Sequence, residues 1–233
     1  VYEDIPRRLA EIRDRIANAA IRANRQPGDV RLIAVSKTHP IEAVRAAADA
    51  GQRDFGENKV QEALQKIAQS TDTTLRWHLI GHLQSNKARK AAQAVSSIHA
   101  IDSVELLKKV DQAAAEAGRT VDVLIQVDLA LEETKFGAPV GEVRSIADAA
   151  AGCTAARLTG LMLLPPLAEN PEDARPWFAR LRALRDELAA SGVPADRLRE
   201  LSMGMSHDFE VAIAEGATMV RVGTAIFGER HYA

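Results

Sequence analysis

Eight short apolar runs alternate with amphipathic, alanine-rich stretches, which predicts an α/β chain folded as a single (β/α)8 TIM barrel. Two further observations favour closure over an open, doubly wound sheet. Only about ten residues follow the eighth run, too few for a full outer helix, and an amphipathic N-terminal helix is available to fill that gap. No G-x-G-x-x-G follows any run, as an open dinucleotide-binding sheet would require. No linker or low-complexity segment divides residues 1–233, which are read as one domain.

The N-terminal helix is read from Leu9, Ile12, Ile16, Ala20 and Ala23, which recur at helical spacing within residues 6–24. The turn QPGD ends it. Strands follow at Arg31–Ser36, Arg53–Gly56, Arg76–Ile80, Ser97–Ile101, Val121–Val127, Arg157–Leu163, Arg199–Ser202 and Met219–Val222. Helices are placed near 41–50, 57–69, 86–94, 103–117, 140–150, 173–190 and 207–215. Gly51, Gly118, Gly152, Gly192 and Gly216 fall where helix C-termini are wanted.

Composition narrows the partners. The chain is 46% hydrophobic and 27% charged with a net charge of −2, which argues against nucleic acid or an anionic membrane. The basic cluster Lys87–Lys90 (KARK) is short and reads as a solvated helix face. One cysteine, Cys153, allows no internal disulfide and suits a reducing compartment. No run is long and apolar enough to span a membrane, and the charged N-terminus does not read as a signal peptide, so a cytoplasmic location is expected.

In a (β/α)8 barrel the chemistry sits at the C-terminal ends of the strands. LIAVSKTHP puts Lys37 there, where an apolar strand runs out. A lysine that has simply surfaced is the plain alternative. The seventh and eighth strands end in SMGMS and RVGT, with Ser206, Gly223 and Thr224 suited to gripping phosphate. Ser206 also precedes a helical run, whose dipole would favour an anion, although it would serve equally as a helix cap. A lysine facing a phosphate site across the mouth suits pyridoxal 5′-phosphate, whose aldehyde condenses with an amine. Partial burial would favour the neutral amine this needs. A Schiff-base aldolase is the rival from the same chemistry.

AVSKTHP, FGENKVQEALQK, WHLIGHLQSNKARK and SMGMSHDFEVAIAEGATMVRVGTAIFG, with the spacing between them, resemble the YggS/PROSC family of pyridoxal phosphate homeostasis proteins over residues 7–230. The resemblance implies a fold-type III barrel like the N-terminal domain of alanine racemase, without that enzyme's second domain. It implies a Schiff base on Lys37, phosphate contacts from Ser206, Gly223 and Thr224, and an arginine, Arg221, facing the pyridine nitrogen. Asn58 and His78 match residues lining the cofactor pocket, and Met203 belongs to the same seventh-strand block as Gly204. A fixed guanidinium opposes protonation of the pyridine nitrogen, so the ring is a poor electron sink. Tyr2 and Tyr232, the only tyrosines, lie at the chain ends, where a racemase would need a placed tyrosine base. The expected role is therefore cofactor binding and delivery to pyridoxal-phosphate-dependent acceptor enzymes, by a monomer or weak homodimer, and not robust catalysis. A weak amino-acid racemase is the first alternative, and a partner-binding protein with an empty pocket the second.

Departures from the family pattern include His82 in GHLQ, His207 after Ser206, Asp128 and GLMLLPP. His82 and His207 are expected to alter charge at the rim. His78 and His82 are four apart but lack the glutamate of a helical zinc motif, and no metal site is expected. Lys59 and Lys135 read as rim charges, with Lys135 within reach of the phosphate region.

Overall fold

The computed structural model describes residues 2–130 and 136–229. Eight parallel strands close into a barrel: β1 (Arg31–Val35), β2 (Asp54–Glu57), β3 (Arg76–Leu79), β4 (Ser97–Ile101), β5 (Val121–Asp128), β7 (Ala156–Met162), β8 (Glu200–Met205) and β9 (Met219–Val222). A two-residue strand, β6 (Ala138–Pro139), pairs only with the end of β5. Closure is made by β1 against β9, in register from Arg31↔Met219 to Ala34↔Val222, and by β4 against β5.

Period-two alternation gives each strand two jobs. Outward residues such as Leu32, Ala34, Phe55, Trp77, Val123 and Leu161 join the large core beneath the helices, while Ile33, Leu124, Met162 and Met219 form a separate apolar cluster inside the barrel. The outer helices are α2 (Ile41–Asp49), α3 (Val60–Gln69), α4 (Ala88–Ala92), α5 (Val104–Glu116), α6 (Val140–Ala149), α7 (Arg175–Ala190) and α8 (Phe209–Ala214). The last, α9 (Thr224–Phe227), is four residues long.

The N-terminal helix α1 (Ile5–Arg22) fills the gap α9 leaves. It buries Ile5, Leu9, Ile12 and Ile16 and packs against α2, α8 and α9. Arg15 bonds Glu210 on α8, and Arg13 donates to the carbonyl of Ala50 beyond α2. Each fully buried Leu or Ile contributes about 1.5–3 kcal/mol, so this face is sufficient to hold the helix in place.

Three details differ from the sequence-based expectations. The strand expected to stop at Ser202 runs to Met205, because Gly204 takes φ +96° within it and its backbone lies against Phe209 and Ala212. The helix expected from residue 57 starts at Val60, since Glu57 completes β2. Gly51, Gly118, Gly192 and Gly216 have positive φ, but Gly152 does not: α6 tightens there into a 3-10 turn over Ala150–Gly152.

Gly160 and Gly141 make a test of this packing. A methyl group at Gly160 would strike the Glu200 carbonyl of the neighbouring strand, whereas one at Gly141, within α6, meets open space. Denaturant melts of Gly160→Ala should show a loss of about 3 kcal/mol or more, and Gly141→Ala should be neutral or gain up to about 1 kcal/mol.

Candidate functional site at the barrel mouth

Parallel closure gathers the C-terminal strand ends into one ring. Lys37 follows β1 and is half-buried, Asn58 follows β2 and is half-buried, and Ser206 follows β8. Gly223 and the exposed Thr224 follow β9. Gly81, after β3, lies so close to the Asn58 backbone that a Cβ would sit 2.2 Å from its carbonyl oxygen. The Asn58 loop is therefore fixed by its neighbour.

Lys37 and the RVGT end are on adjacent strands, with the SMGMS end one strand further on, not across the mouth as the sequence suggested. β9 pairs with β1, and a Cβ on Gly223 would meet the Val35 carbonyl at 3.1 Å. Ser206 Oγ accepts hydrogen bonds from the N–H of Gly223 at 3.2 Å and of Ala225 at 3.5 Å, tying the two loops together. Two backbone donors thus already converge on one oxygen, the donor set a phosphate oxygen needs. Ser206 does not cap α8, the helix that follows it in the chain. α8 starts at Phe209 and has only six residues, and Asp208 instead accepts from the Met205 N–H at 2.7 Å to close the turn. Backbone donors, rather than the helix dipole expected from the sequence, make this end receptive to an anion.

Beneath the mouth a buried polar chain crosses the barrel. Arg221 donates to Ser202 Oγ at 2.7 Å and to the Leu163 carbonyl at 2.9 Å. Ser202 Oγ lies 2.9 Å from His99 Nδ1, His99 Nε2 lies 3.0 Å from His78 Nδ1, and His78 Nε2 lies 2.8 Å from Asp54 Oδ1. These contacts accommodate a run of donors in one direction, from Arg221 through Ser202, His99 and His78 to Asp54. Burial pushes His99 well below the usual histidine value, keeping it neutral. Burial lowers Arg221 to about 10, so it stays charged at neutral pH. Burial alone would raise Asp54, but hydrogen bonds from His78 and Arg76 overcome it and hold the carboxyl well below the usual range.

Arg221 is thus a buried cation whose hydrogen bonds go to neutral oxygens, a costly arrangement that a hydrogen-bond acceptor in the pocket would complement. Lys37, the convergent N–H groups and this guanidinium together fit a molecule carrying an aldehyde, a phosphate and a ring nitrogen.

A family model described as alanine racemase, N-terminal domain, matches residues 8–231. The chain is 44% identical to a pyridoxal phosphate homeostasis protein of Aquifex aeolicus, covering 97% of this chain and 98% of that one. It is 43% identical to the protein of that name in Escherichia coli strain K12, covering 99% and 98%. The chain belongs to the alanine racemase N-terminal domain family, and within it to the pyridoxal phosphate homeostasis proteins. Among solved structures, PipY of Synechococcus elongatus, 43% identical, matches without pyridoxal phosphate at TM-score 0.86 and with it bound at 0.85, each covering 96% of this chain and all of that one. Alanine racemase of Clostridium difficile, 17% identical at TM-score 0.75, shares the fold over 99% of this chain and 57% of its own.

Within this family's barrel, not every expected residue faces the mouth. Met203 sends its fully buried side chain to the helix-facing core, because Ser202 beside it points inward to His99 and Arg221. His78 does face inward, but Asp54 and His99 occupy its two nitrogens. Lys59 is exposed, as are Lys87, Arg89 and Lys90. Lys135 and Tyr232 lie outside the described residues. His82 stacks on Phe136 at the rim with ring centroids 3.6 Å apart, and His207 donates to the Glu169 carbonyl. A cavity of about 380 Å³ lined by Arg13, Gln52, Asp54 and Arg76 opens at the opposite end of the barrel, away from Lys37. Sequence reading missed Asp54, His99 and Ser202. Their signal was a polar residue at the inward position of an apolar strand.

Asp54 has a depressed folded pKa, so it adds stability above its unfolded value of about 3.9 that is lost as pH falls through the folded one. Arg76 is half exposed and solvent screens its share, leaving His78 as the main partner. Asp54→Asn should cost roughly 2–4 kcal/mol at pH 7. In denaturant melts across pH, that deficit should shrink below about pH 4.

Proposed function

We propose that the protein binds pyridoxal 5′-phosphate covalently through Lys37 and holds it for release to acceptor enzymes, as part of vitamin B6 homeostasis. The observation that carries this reading is the placing of Lys37 on the strand end next to Gly223, where two backbone N–H groups converge, above the buried Arg221. Relatives at 43–44% identity named pyridoxal phosphate homeostasis protein, and PipY with pyridoxal phosphate bound, support it.

The cofactor supplies an aldehyde that an amine captures and a ring able to accept electrons. The chain's residues govern how much of that chemistry is used. Lys37 provides the amine, and Ser206, Gly223 and Thr224 address the phosphate. Asn58 flanks the opening from the next strand. Arg221 places a fixed positive charge low in the barrel, so a second positive charge on an adjacent ring nitrogen is opposed. Such a ring is held without strong activation of a substrate's α-carbon, which favours storage and delivery over racemisation. No described helix is long and apolar enough to cross a membrane.

Absorption spectra during cofactor titration test this. Wild type should gain a visible band that borohydride abolishes, and Lys37→Ala should gain none. No band in wild type, or an unchanged band in Lys37→Ala, contradicts the reading. With L-alanine in deuterated water, α-proton exchange should stay at the rate of free cofactor. Faster exchange would favour a weak racemase.

A further inference from the structure

The backbone that carries Lys37 is held in an unfavourable shape. Thr38, β-branched, sits at φ +66°, the left-handed region that such residues avoid. Its N–H donates to Glu62 Oε1 at 2.6 Å. On the other side of Lys37, the Ser36 hydroxyl donates to Glu57 Oε1 at 2.6 Å, and the Ser36 carbonyl accepts from Lys66 Nζ at 2.7 Å. Lys66 Nζ then joins the two carboxylates, donating to Glu57 Oε1 at 2.6 Å and Glu62 Oε1 at 2.8 Å. Glu57 closes β2, while Glu62 and Lys66 lie one turn apart on α3. These side chains bond Ser36, Thr38 and one another.

Stability alone gives little reason for this cluster. Glu57 and Lys66 are almost completely buried, and buried ion pairs can generally be replaced by apolar side chains of similar volume without loss. Burial raises Glu57 to about 7 against the pull of Lys66 and Ser36, and its Oε2 is buried with no hydrogen bond among the described residues. What the cluster does fix is the conformation of residues 36 and 38, and so the direction in which Lys37 leaves the strand.

We propose that Glu57, Glu62 and Lys66 are positioning residues: a hydrogen-bonded clamp that holds the Ser36–Thr38 turn so that the Lys37 amine meets the cofactor's aldehyde. This rests on the reading that Lys37 carries the cofactor. The clamp acts on the lysine and leaves the phosphate and ring contacts untouched.

The test separates covalent capture from simple binding. Pyridoxamine 5′-phosphate has the same ring and phosphate but no aldehyde, so it reports on the pocket alone. Glu62→Ala and Ser36→Ala, with Lys66→Met beside them, are each titrated with pyridoxamine 5′-phosphate and with pyridoxal 5′-phosphate, and melted without ligand. Lys66→Met strands Glu57 in the core and should lower Tm, whereas Glu62 is partly exposed and Glu62→Ala should melt close to wild type. Glu62→Ala and Ser36→Ala should bind pyridoxamine 5′-phosphate within about twofold of wild type, while the borohydride-sensitive adduct forms about tenfold less favourably. Equal adduct formation in these variants and wild type overturns the clamp, as does a parallel loss of both ligands. If wild type forms no adduct although it binds pyridoxamine 5′-phosphate, the Lys37 reading fails and takes the clamp with it.

Discussion

The pairing of β1 with β9 is the constraint on which the mouth depends. Those hydrogen bonds turn an open parallel sheet into a ring, and they bring Lys37 beside Gly223 although most of the chain separates the two. Without that closure the lysine would end an edge strand, and the Ser206–Gly223 contact would belong to the opposite side of the sheet. Parallel strands also oblige each connection to cross over through a helix, so a covering of helices comes with the ring. α1 is part of the same solution, because α9 is too short to cover the seam where the barrel closes.

Closure also encloses an interior that has to be filled. Here one layer is apolar, from Ile33, Leu124, Met162 and Met219, and the remaining space takes a chain of polar groups from Arg221 to Asp54. Such a chain stabilises only when every link is made, since one missing partner leaves a buried group unsatisfied. Its two ends carry opposite charge, which aligns the donors between them. The result is a rigid seat for Arg221, and a rigid cation near a ring nitrogen sets the electronic character of any cofactor held above it.

How much of this was legible in the sequence depended on range. Strands and outer helices were readable because burial imposes period two or period 3.6 on neighbours along the chain. Lys37, Ser206 and Gly223 were readable because polar and glycine residues end apolar runs. The direction of Met203 was not, since the extra length of β8 hangs on Gly204, and one residue of register decides which face a side chain takes. Glu62 and Lys66 look in sequence like an ordinary solvated pair one helical turn apart. Only the packing of α3 beside the end of β1 buries Lys66 and turns the pair toward Ser36 and Thr38. His99 was hidden in the same way: its partners His78 and Ser202 come from β3 and β8, on either side of β4 in the chain.

The central claim is that Lys37 is the cofactor's point of attachment, and peptide mapping addresses it most directly. Trypsin cuts after a free Lys37 to give LIAVSK, but a pyridoxylated lysine blocks that cut and leaves Leu32–Arg45, LIAVSKTHPIEAVR, in which Lys37 is the only lysine. After incubation with pyridoxal 5′-phosphate and borohydride reduction, mass spectrometry of the digest should find the pyridoxyl phosphate group on that peptide. Reduction that leaves it unmodified while tagging Lys59 or Lys135 would contradict the account.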